Sequence, residues 1–224
     1  MNVFSRFVSR ISAFKRIELL NAHAGVQFSR STEFRTKATS KILVVDGTLT
    51  VGYPLAAQKA FATADRTVIT LGANSTIKVL GDVIIAPGAT IRVEDGAELI
   101  LGGSNIFAHN LTIICGKKMV FGKGAEISWN VTFIDDDGHT MENKAGRALR
   151  ILYRPMIIGE NVGIQMNSIF PRGVSVGANS IIASGTVVRR DIPENCLALS
   201  DAPLKIKHGI RKPSSKTSAG RENL

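Results

Sequence analysis

A repeat of six residues dominates the chain between residues 158 and 193. A large apolar residue recurs at every sixth position, and a small or branched residue follows each of them four positions later. This period fits neither a helix nor an alternating strand, but it is typical of a chain that coils in short strands around a triangular prism. It therefore predicts an all-β fold, a parallel β-helix with one continuous core, and a sandwich of short strands is the alternative. The two columns are Ile158, Ile164, Phe170, Val176, Ile182 and Val188, and Val162, Ser168, Val174, Ser180, Thr186 and Ile192.

The same spacing occurs with shifts of phase between residues 68 and 133, and each shift indicates an irregular corner. We therefore predict one β-helix domain over residues 41–197, interrupted by a loop at residues 134–157. Residues 1–40 are predicted to form an N-terminal helix and a linker, of which the polar stretch 27–41 is the connection. Residues 198–224 are predicted to be a C-terminal extension with a basic, disordered tail.

The net charge of +10 is concentrated at the two ends of the chain. Residues 41–204 carry as many acidic as basic residues, which argues against a nucleic-acid-binding face on the folded body. Residues 3–20 combine apolar residues at helical spacing with basic ones, which predicts a basic amphipathic helix. Three interpretations stay open for this helix: packing on the β-helix or on a neighbouring subunit, peripheral contact with an anionic membrane, or a transit peptide.

No apolar run in the sequence reaches the roughly 18 residues of a transmembrane helix, and charges interrupt residues 1–20 too often for a secretory signal. We therefore expect a cytoplasmic protein, with association at the inner face of the membrane as the alternative. Cys115 and Cys196 have no metal-binding or redox spacing and are expected to be reduced packing residues.

Among the four histidines of the chain, His139 is the best candidate for a general base. An imidazole that titrates near neutral pH suits the removal of a proton from an attacking hydroxyl. Asp135, Asp136 and Asp137 precede it, and a carboxylate among them could orient the ring. The scattered histidines do not supply the three ligands of a catalytic zinc site, so no metal is predicted. A glycine-rich phosphate-binding segment, which a nucleotidyltransferase would need, does not precede the β-helix.

Three segments of the sequence resemble the hexapeptide-repeat acetyltransferases, especially the galactoside, maltose and capsular-polysaccharide O-acetyltransferases. They are NIFAHNLTIICGKKMVFGKGAEISWNVTFIDDDGHTM (residues 105–141), RPMIIGENVGI and NSIIASGTVVRRDIPEN. The resemblance extends over residues 70–207. It implies a left-handed β-helix and a homotrimer that moves an acetyl group from acetyl-CoA to a saccharide hydroxyl, with one histidine at each junction between subunits.

The same resemblance implies roles for individual residues. It implies that His139 is the base and that Asp136, Asp137 or Glu160 is its partner. Asn110 and His109 lie where the family holds the acceptor. The positions that match the donor site are Ala183, Ser184, Gly185 and Thr186 for the pantetheine arm, and Arg190 and Lys205 for the phosphates of acetyl-CoA.

Two segments of the sequence depart from the family pattern. Gly163, Ile164 and Gln165 stand where the family has Trp-Ile-Gly, and residues 199–204 replace its Ala-Gly-Asn-Pro-Ala with one residue added. From the whole sequence we predict an acetyl-CoA-dependent O-acetyltransferase of surface-polysaccharide biosynthesis. A non-catalytic β-helix scaffold in polysaccharide assembly and an amino-sugar N-acetyltransferase are the alternatives.

Overall fold

The computed structural model describes residues 15–55, 65–135, 154–171 and 173–200, and in this part of the chain it contains strands but no helix. The strands form three parallel sheets. Sheet 1 has seven strands: β1 (Ile17–Leu19), β4 (Lys41–Val44), β7 (Thr76–Val79), β10 (Glu98–Leu101), β13 (Lys118–Phe121), β16 (Met156–Ile158) and β19 (Ser175–Val176).

Sheet 2 has eight strands: β2 (Gly25–Phe28), β5 (Thr48–Val51), β8 (Val83–Ile85), β11 (Asn105–Phe107), β14 (Glu126–Ile127), β17 (Gly163–Ile164), β20 (Ile181–Ile182) and β21 (Leu197–Ala198). Sheet 3 has six strands: β3 (Thr32–Thr36), β6 (Thr67–Leu71), β9 (Thr90–Val93), β12 (Thr112–Cys115), β15 (Thr132–Ile134) and β18 (Ile169–Phe170).

Up to β20 each strand pairs with the strands three places before and after it, so successive strands enter the three sheets in turn, and β21 then pairs with β20. This is the connectivity of a chain that winds around a prism, and it confirms the predicted β-helix. The pairing also explains the shifts of phase in the sequence. Ile85 pairs with Phe107, 22 positions later, Phe107 with Ile127, 20 positions later, and Ile164 with Ile182, 18 positions later. The length of three perfect hexapeptides thus holds from Ile158 to Val176 and from Ile164 to Ile182, whereas Ile182 pairs with Ala198 only 16 positions later.

The interior of the prism is a single core, and the predicted columns line it. All six large residues of the first column are buried, as are five of the second, and Ile192 is partly buried against them. Four phenylalanines follow one another inside the core, Phe107, Phe121, Phe133 and Phe170, with neighbouring ring centroids 4.7–5.1 Å apart; the first two contacts are edge-on and the last is stacked. Each coil thus completes the core of its neighbours.

The β-helix begins earlier in the chain than the sequence predicted. Ile17 already pairs with Ile42, and the strands β2 and β3 lie within the stretch expected to be a linker. The predicted boundary at residue 41 and the connection at 27–41 are therefore wrong. The predicted amphipathic helix falls mostly on residues 1–14, which lie outside the described residues, as do residues 136–153 of the predicted loop and 201–224 of the C-terminal extension. No helix in the described ranges could span a membrane.

Candidate functional site

The predicted site residues that the structure describes lie on the edges of the prism, where the chain passes from one sheet to the next. We name these edges 1–2, 2–3 and 3–1 after the sheets that they join. Edge 2–3 repeats one turn in five coils, and the second residue of each turn has a positive φ. In the last four turns the N–H of this second residue donates to the carbonyl of the first residue of the preceding turn, at 2.9–3.2 Å. The turns are Pro87 and Gly88, His109 and Asn110, Trp129 and Asn130, Met166 and Asn167, and Ser184 and Gly185.

The residues predicted to approach the pantetheine arm form the last of these turns. The N–H groups of Ala183, Ser184, Gly185 and Thr186 all donate to protein acceptors, so a ligand here would meet side chains and carbonyls rather than backbone donors. A Cβ on Gly185 would meet no heavy atom within 4 Å, so this turn has room for close approach. The side chain of Thr186 is buried in the second core column and faces the interior instead.

Gln165 contacts this turn from the preceding coil. Its Oε1 accepts hydrogen bonds from both the backbone N–H and the hydroxyl of Ser184, each at 3.2 Å. In the sequence, Gln165 stands out only as a departure from the family pattern. Its hydrogen bonds could not be predicted from that pattern, because they depend on which residues the coils place side by side.

The residues predicted to hold the acceptor lie three coils before the donor turn on the same edge. His109 is buried, and its ring packs edge-on against Trp129 with centroids 6.3 Å apart. The side-chain amide of Asn110 donates to Asn130 at 3.2 Å, and that of Asn130 donates to Asn167 at 3.1 Å. Asn110 therefore contributes to a structural ladder along the edge. Trp129, which is partly exposed between the two predicted groups, was not proposed from the sequence.

Edge 3–1 carries the entry to the segment that contains His139. Asp135, the last residue described before that segment, is buried, and its carboxylate accepts the N–H groups of Gly116 and, at 3.2 Å, of Lys117. These bonds hold Asp135 against the preceding coil. Burial, followed by the charge of Asp135, raises the pKa of Cys115 to about 12, so this thiol stays protonated at neutral pH. His139, Asp136 and Asp137 lie outside the described residues.

The chain returns from that segment at Arg154, on the same edge. The guanidinium of Arg154 donates to the carboxylate of Asp191 at 2.8 Å, and the N–H of Ser175 donates to the other carboxylate oxygen at 3.0 Å. The bond from Arg154, followed by that from Ser175, lowers the pKa of Asp191. Arg190, predicted to bind phosphate, is exposed beside this pair, and Lys205 lies outside the described residues.

The structure therefore brings some predicted residues together and separates others. His109, Asn110 and residues 183–186 share edge 2–3, whereas Arg190 lies on edge 3–1. Glu160 is exposed on edge 1–2, where its carbonyl accepts the N–H of Asn179 at 2.9 Å. One prism thus distributes the predicted residues over all three edges. The described residues contain no group of three His, Cys, Asp or Glu side chains that could hold a metal ion.

Comparisons with known proteins agree with this architecture. Residues 155–190 match the family described as bacterial transferase hexapeptide (six repeats). A Saccharomyces cerevisiae protein whose name describes an acetyltransferase is 38% identical over 123 residues, which are 54% of this chain and 61% of that protein. The galactoside O-acetyltransferase of Escherichia coli is 34% identical over 97 residues, 43% of this chain and 47% of that enzyme. The chain spans less than two thirds of the length of both relatives.

Among solved structures, the polysialic acid O-acetyltransferase OatWY superposes with a TM-score of 0.53 at 18% identity, over 87% of this chain and 94% of that one. At this identity the likeness concerns the fold. The chain is therefore a β-helix of three parallel sheets whose residues 155–190 match the hexapeptide family, and it is similar over part of its length to proteins named as acetyltransferases.

Proposed function

We propose that the protein is an acetyl-CoA-dependent O-acetyltransferase that acts on a saccharide hydroxyl in surface-polysaccharide biosynthesis. The relatives named as acetyltransferases support this activity. The observation that carries the proposal is the position of the candidate acceptor residues, His109 and Asn110, on the same edge as the candidate donor turn at residues 183–186. Strands in neighbouring coils are about 4.8 Å apart, so three coil steps separate the two groups by roughly 14 Å.

In the proposed reaction, His139 removes the proton of the acceptor hydroxyl as its oxygen attacks the thioester carbonyl. A C–O bond forms, the tetrahedral intermediate collapses with cleavage of the C–S bond, and the thiolate of CoA leaves and takes up a proton. Asp136 or Asp137 is proposed to orient the imidazole. Asp135 is the less suitable partner, because its carboxylate already accepts two backbone N–H groups in the preceding coil.

The proposed enzyme is a homotrimer of left-handed β-helices, with sites at the junctions between subunits. The distribution of candidate residues over three edges supports a site shared between subunits. The three edges of one prism point in different directions, so residues on different edges of one subunit cannot converge on one ligand. In a cyclic trimer, edge 2–3 of one subunit can face edge 3–1 of its neighbour. Arg190 and Lys205 are then the candidates for the phosphates of acetyl-CoA.

The test of this activity is the substitution His139→Ala, assayed by release of free CoA thiol. We expect kcat to fall by roughly 10²–10⁴ while the affinity for acetyl-CoA changes little, because the base acts mainly in the transition state. The melting temperature and the oligomeric state are measured in parallel as controls. A variant that melts normally and still transfers acetyl at a near wild-type rate would exclude His139 as the base.

A non-catalytic scaffold is the second candidate, and one observation favours it. Gln165, in a segment that departs from the family pattern, accepts two hydrogen bonds from Ser184 of the donor turn. Its side chain therefore covers part of the surface that acetyl-CoA would contact. A scaffold of this kind would not be stabilised by acetyl-CoA. A melting temperature that does not rise in millimolar acetyl-CoA, together with the absence of thiol release, would support this alternative. Transfer to an amino group instead of a hydroxyl would appear as an amide product that is stable to mild base.

A further inference from the structure

The first coil of the prism, formed by β1, β2 and β3, leaves part of the core uncovered. Each of these strands is the terminal strand of its sheet, so among the described residues it is paired on one side only. Leu19 of β1 pairs with Val44 in the second coil and lies in the same inward column. Val44 is fully buried, whereas Leu19 is 51% exposed. The core therefore reaches the surface at the N-terminal end of the prism.

Sheet 2 has the same opening at this end. The inward residues of β2, Val26 and Phe28, are partly exposed, although their partners in the second coil are buried. Leu20 follows Leu19 at the corner between sheets 1 and 2 and is 54% exposed. Contiguous apolar surface of this kind marks a site of interaction with a partner or a membrane.

The corners of the first coil are basic. Residues 15–40 carry five basic and two acidic residues, whereas residues 72–135 carry five basic and six acidic ones. Lys15 lies just before β1, Arg30 lies between β2 and β3, and Lys37 follows β3. All three residues are exposed, and none of them forms an ion pair with another described residue. These three cations therefore surround the uncovered core with positive charge.

The two acidic residues of the first coil do not offset this charge, because each already has a cationic partner. Glu18 forms an ion pair with Lys41 at 2.9 Å. Glu33 is buried, and its carboxylate contacts the guanidiniums of Arg35 and Arg66. The electrostatic potential at the N-terminal end is therefore positive.

The combination of apolar surface and cations selects among the occupants of this end. A second copy placed end to end would bring two sets of like charges together. Residues 1–14 contain Arg6 and Arg10 and no acidic residue, so as a cover they would add to the positive charge. Nucleic acid would engage the cations but not the leucines. An anionic bilayer engages both, because its headgroups attract the cations and its interface accepts apolar side chains.

We propose that the N-terminal end of the prism docks onto an anionic membrane through Leu19, Leu20 and the three cations. The axis of the prism then lies near the bilayer normal. The donor turn at residues 183–186 lies six coil steps from the first coil, roughly 29 Å, so it stays clear of the headgroups. In the proposed cyclic trimer the three N-terminal ends point in the same direction, so their contacts with one membrane act together.

The first experiment measures cosedimentation of the full chain with phosphatidylcholine vesicles that contain either no phosphatidylglycerol or about 30 mol% of it. We expect at least tenfold tighter binding to the anionic vesicles. The triple variant Lys15→Glu, Arg30→Glu and Lys37→Glu should lose at least tenfold in affinity for them. The charge-matched control Lys207→Glu, Lys212→Glu and Lys216→Glu, in the basic C-terminal tail, should stay within twofold of the wild type.

Three results of this experiment would overturn the proposal. The first is a wild type that binds no vesicles or binds both kinds equally. The second is a loss of affinity in the tail variant with none in the first-coil variant, which would assign the membrane contact to the tail. The third is tighter binding to a DNA duplex than to the anionic vesicles at the same ionic strength, which would assign the cations to nucleic acid.

The second experiment tests the apolar part of the surface with Leu20→Asn and the matched control Leu80→Asn. Both leucines directly follow a strand of sheet 1, and their N–H groups make the same hydrogen bond to the neighbouring coil, at 2.9 Å. We expect Leu20→Asn to weaken binding to the anionic vesicles about fivefold and Leu80→Asn to leave it unchanged. If Leu20→Asn instead lowers the melting temperature and leaves binding unchanged, the protein itself covers this leucine and the proposal is wrong.

The third experiment measures the orientation on the membrane with Leu20→Trp and vesicles whose acyl chains carry bromine. The single native tryptophan, Trp129, follows β14, four coil steps from β2 and roughly 19 Å away, and is the internal control. We expect the bromines to quench the fluorescence of Leu20→Trp but not that of the wild type. Quenching of Trp129, or a bound Leu20→Trp variant without quenching, would contradict docking by the end of the prism. None of these measurements requires acetyl transfer, so the docking and the enzymatic activity are tested separately.

Discussion

The aspartates of edge 3–1 use one chemical device in different surroundings: a carboxylate accepts a backbone N–H of the preceding coil. Asp135 does so while buried, and Asp95 does so while exposed, with a bond of 2.7 Å from the N–H of Ala73. A buried polar group that loses its hydrogen-bond partner cannot turn to water, so the burial of the aspartate should decide how much each bond contributes to stability. For Asp135 this position also fixes where the segment with His139 leaves the prism.

We predict that Asp135→Asn lowers the free energy of unfolding by about 1–3 kcal/mol, because the new NH₂ group, at a buried position, would face one of the two backbone N–H donors that now bond to the carboxylate. Asp95→Asn, the exposed control on the same edge, should cost less than about 1 kcal/mol. Urea denaturation at pH 7 measures both. If both variants lose the same free energy of unfolding, burial of the aspartate does not determine how much the bond contributes to stability.

The ion pair between Asp191 and Arg154 should make a pH-dependent contribution to stability. The native pKa of Asp191 is lowered, so its contribution is fully present above the pKa of the unfolded state and is lost as the pH falls through the native pKa. Both side chains are exposed, so we expect less than about 1 kcal/mol. Asp191→Asn should be less stable than the wild type at pH 6, and the two should converge below the native pKa. A difference that persists unchanged in strong acid would contradict this account.

At the scale of the element, the turns on edge 1–2 join coils through a second asparagine ladder. The amide of Asn161 donates to Asn179 at 3.1 Å, that of Asn179 donates to Asn195 at 3.3 Å, and all three residues have positive φ. Asparagine serves both needs, since it tolerates the left-handed region and its amide can both donate and accept.

We predict that Asn179→Ala lowers the free energy of unfolding by about 2 kcal/mol, and that Asn179→Gly costs about half as much. Alanine loses the ladder bonds and also strains the left-handed turn, by roughly 1–2 kcal/mol, whereas glycine loses only the bonds. Chemical denaturation measures the free energy of unfolding of both variants, and the difference between them gives the cost of placing a Cβ in the left-handed turn. If Asn179→Ala is as stable as Asn179→Gly, the turn must have changed its backbone conformation.

The sequence predicted the later coils well and the first coil poorly, for a physical reason. In residues 158–193 every strand places a large apolar side chain inside at a fixed interval, so the pattern alone identifies the coil. In the first coil the strand β3 has the sequence TEFRT, in which Phe34 is the one large apolar residue and Glu33 is buried between Arg35 and Arg66. In the sequence, an acidic residue among basic ones is typical of a solvent-exposed linker. That Glu33 is buried and paired with arginines becomes evident only from the pairing of the coils.

The candidate site was predictable in its residue types but not in its arrangement. Motif positions identified His109 and residues 183–186, and the coils then brought them to one edge. The contacts of Gln165 and Trp129 depend on neighbours 19 or more positions away in the chain, across coils of unequal length. A reading along the chain could not supply these contacts.

At the scale of the whole molecule, the last coils leave apolar side chains on their outer surfaces. Ile169 and Val187 are paired on the outside of sheet 3, at 43% and 39% exposure, and Leu197 is 63% exposed on sheet 2. Such surface suits burial against identical subunits.

We predict a trimer of about 72 kDa from chains of 24.0 kDa, measured by sedimentation or light scattering at micromolar concentration. Ile169→Glu should shift it toward monomer, because a charge would replace apolar surface at the proposed interface. Leu80→Glu, at a comparably exposed apolar residue (40%) in an earlier coil, is the control and should stay trimeric. A wild-type monomer would remove the basis for a site shared between subunits.

The unequal spacing of paired coils bears on how such a chain can acquire new chemistry. Phe133 pairs with Phe170, 37 positions later, where the most regular coils need only 18. The entropy of closing a loop grows with the logarithm of its length, so doubling that length costs only about 0.6 kcal/mol. This is less than we expect from losing one asparagine of a ladder. A coil can therefore gain, lose or exchange a segment at its corner with little effect on folding, and chemistry can diversify on edge 3–1 while the core stays the same.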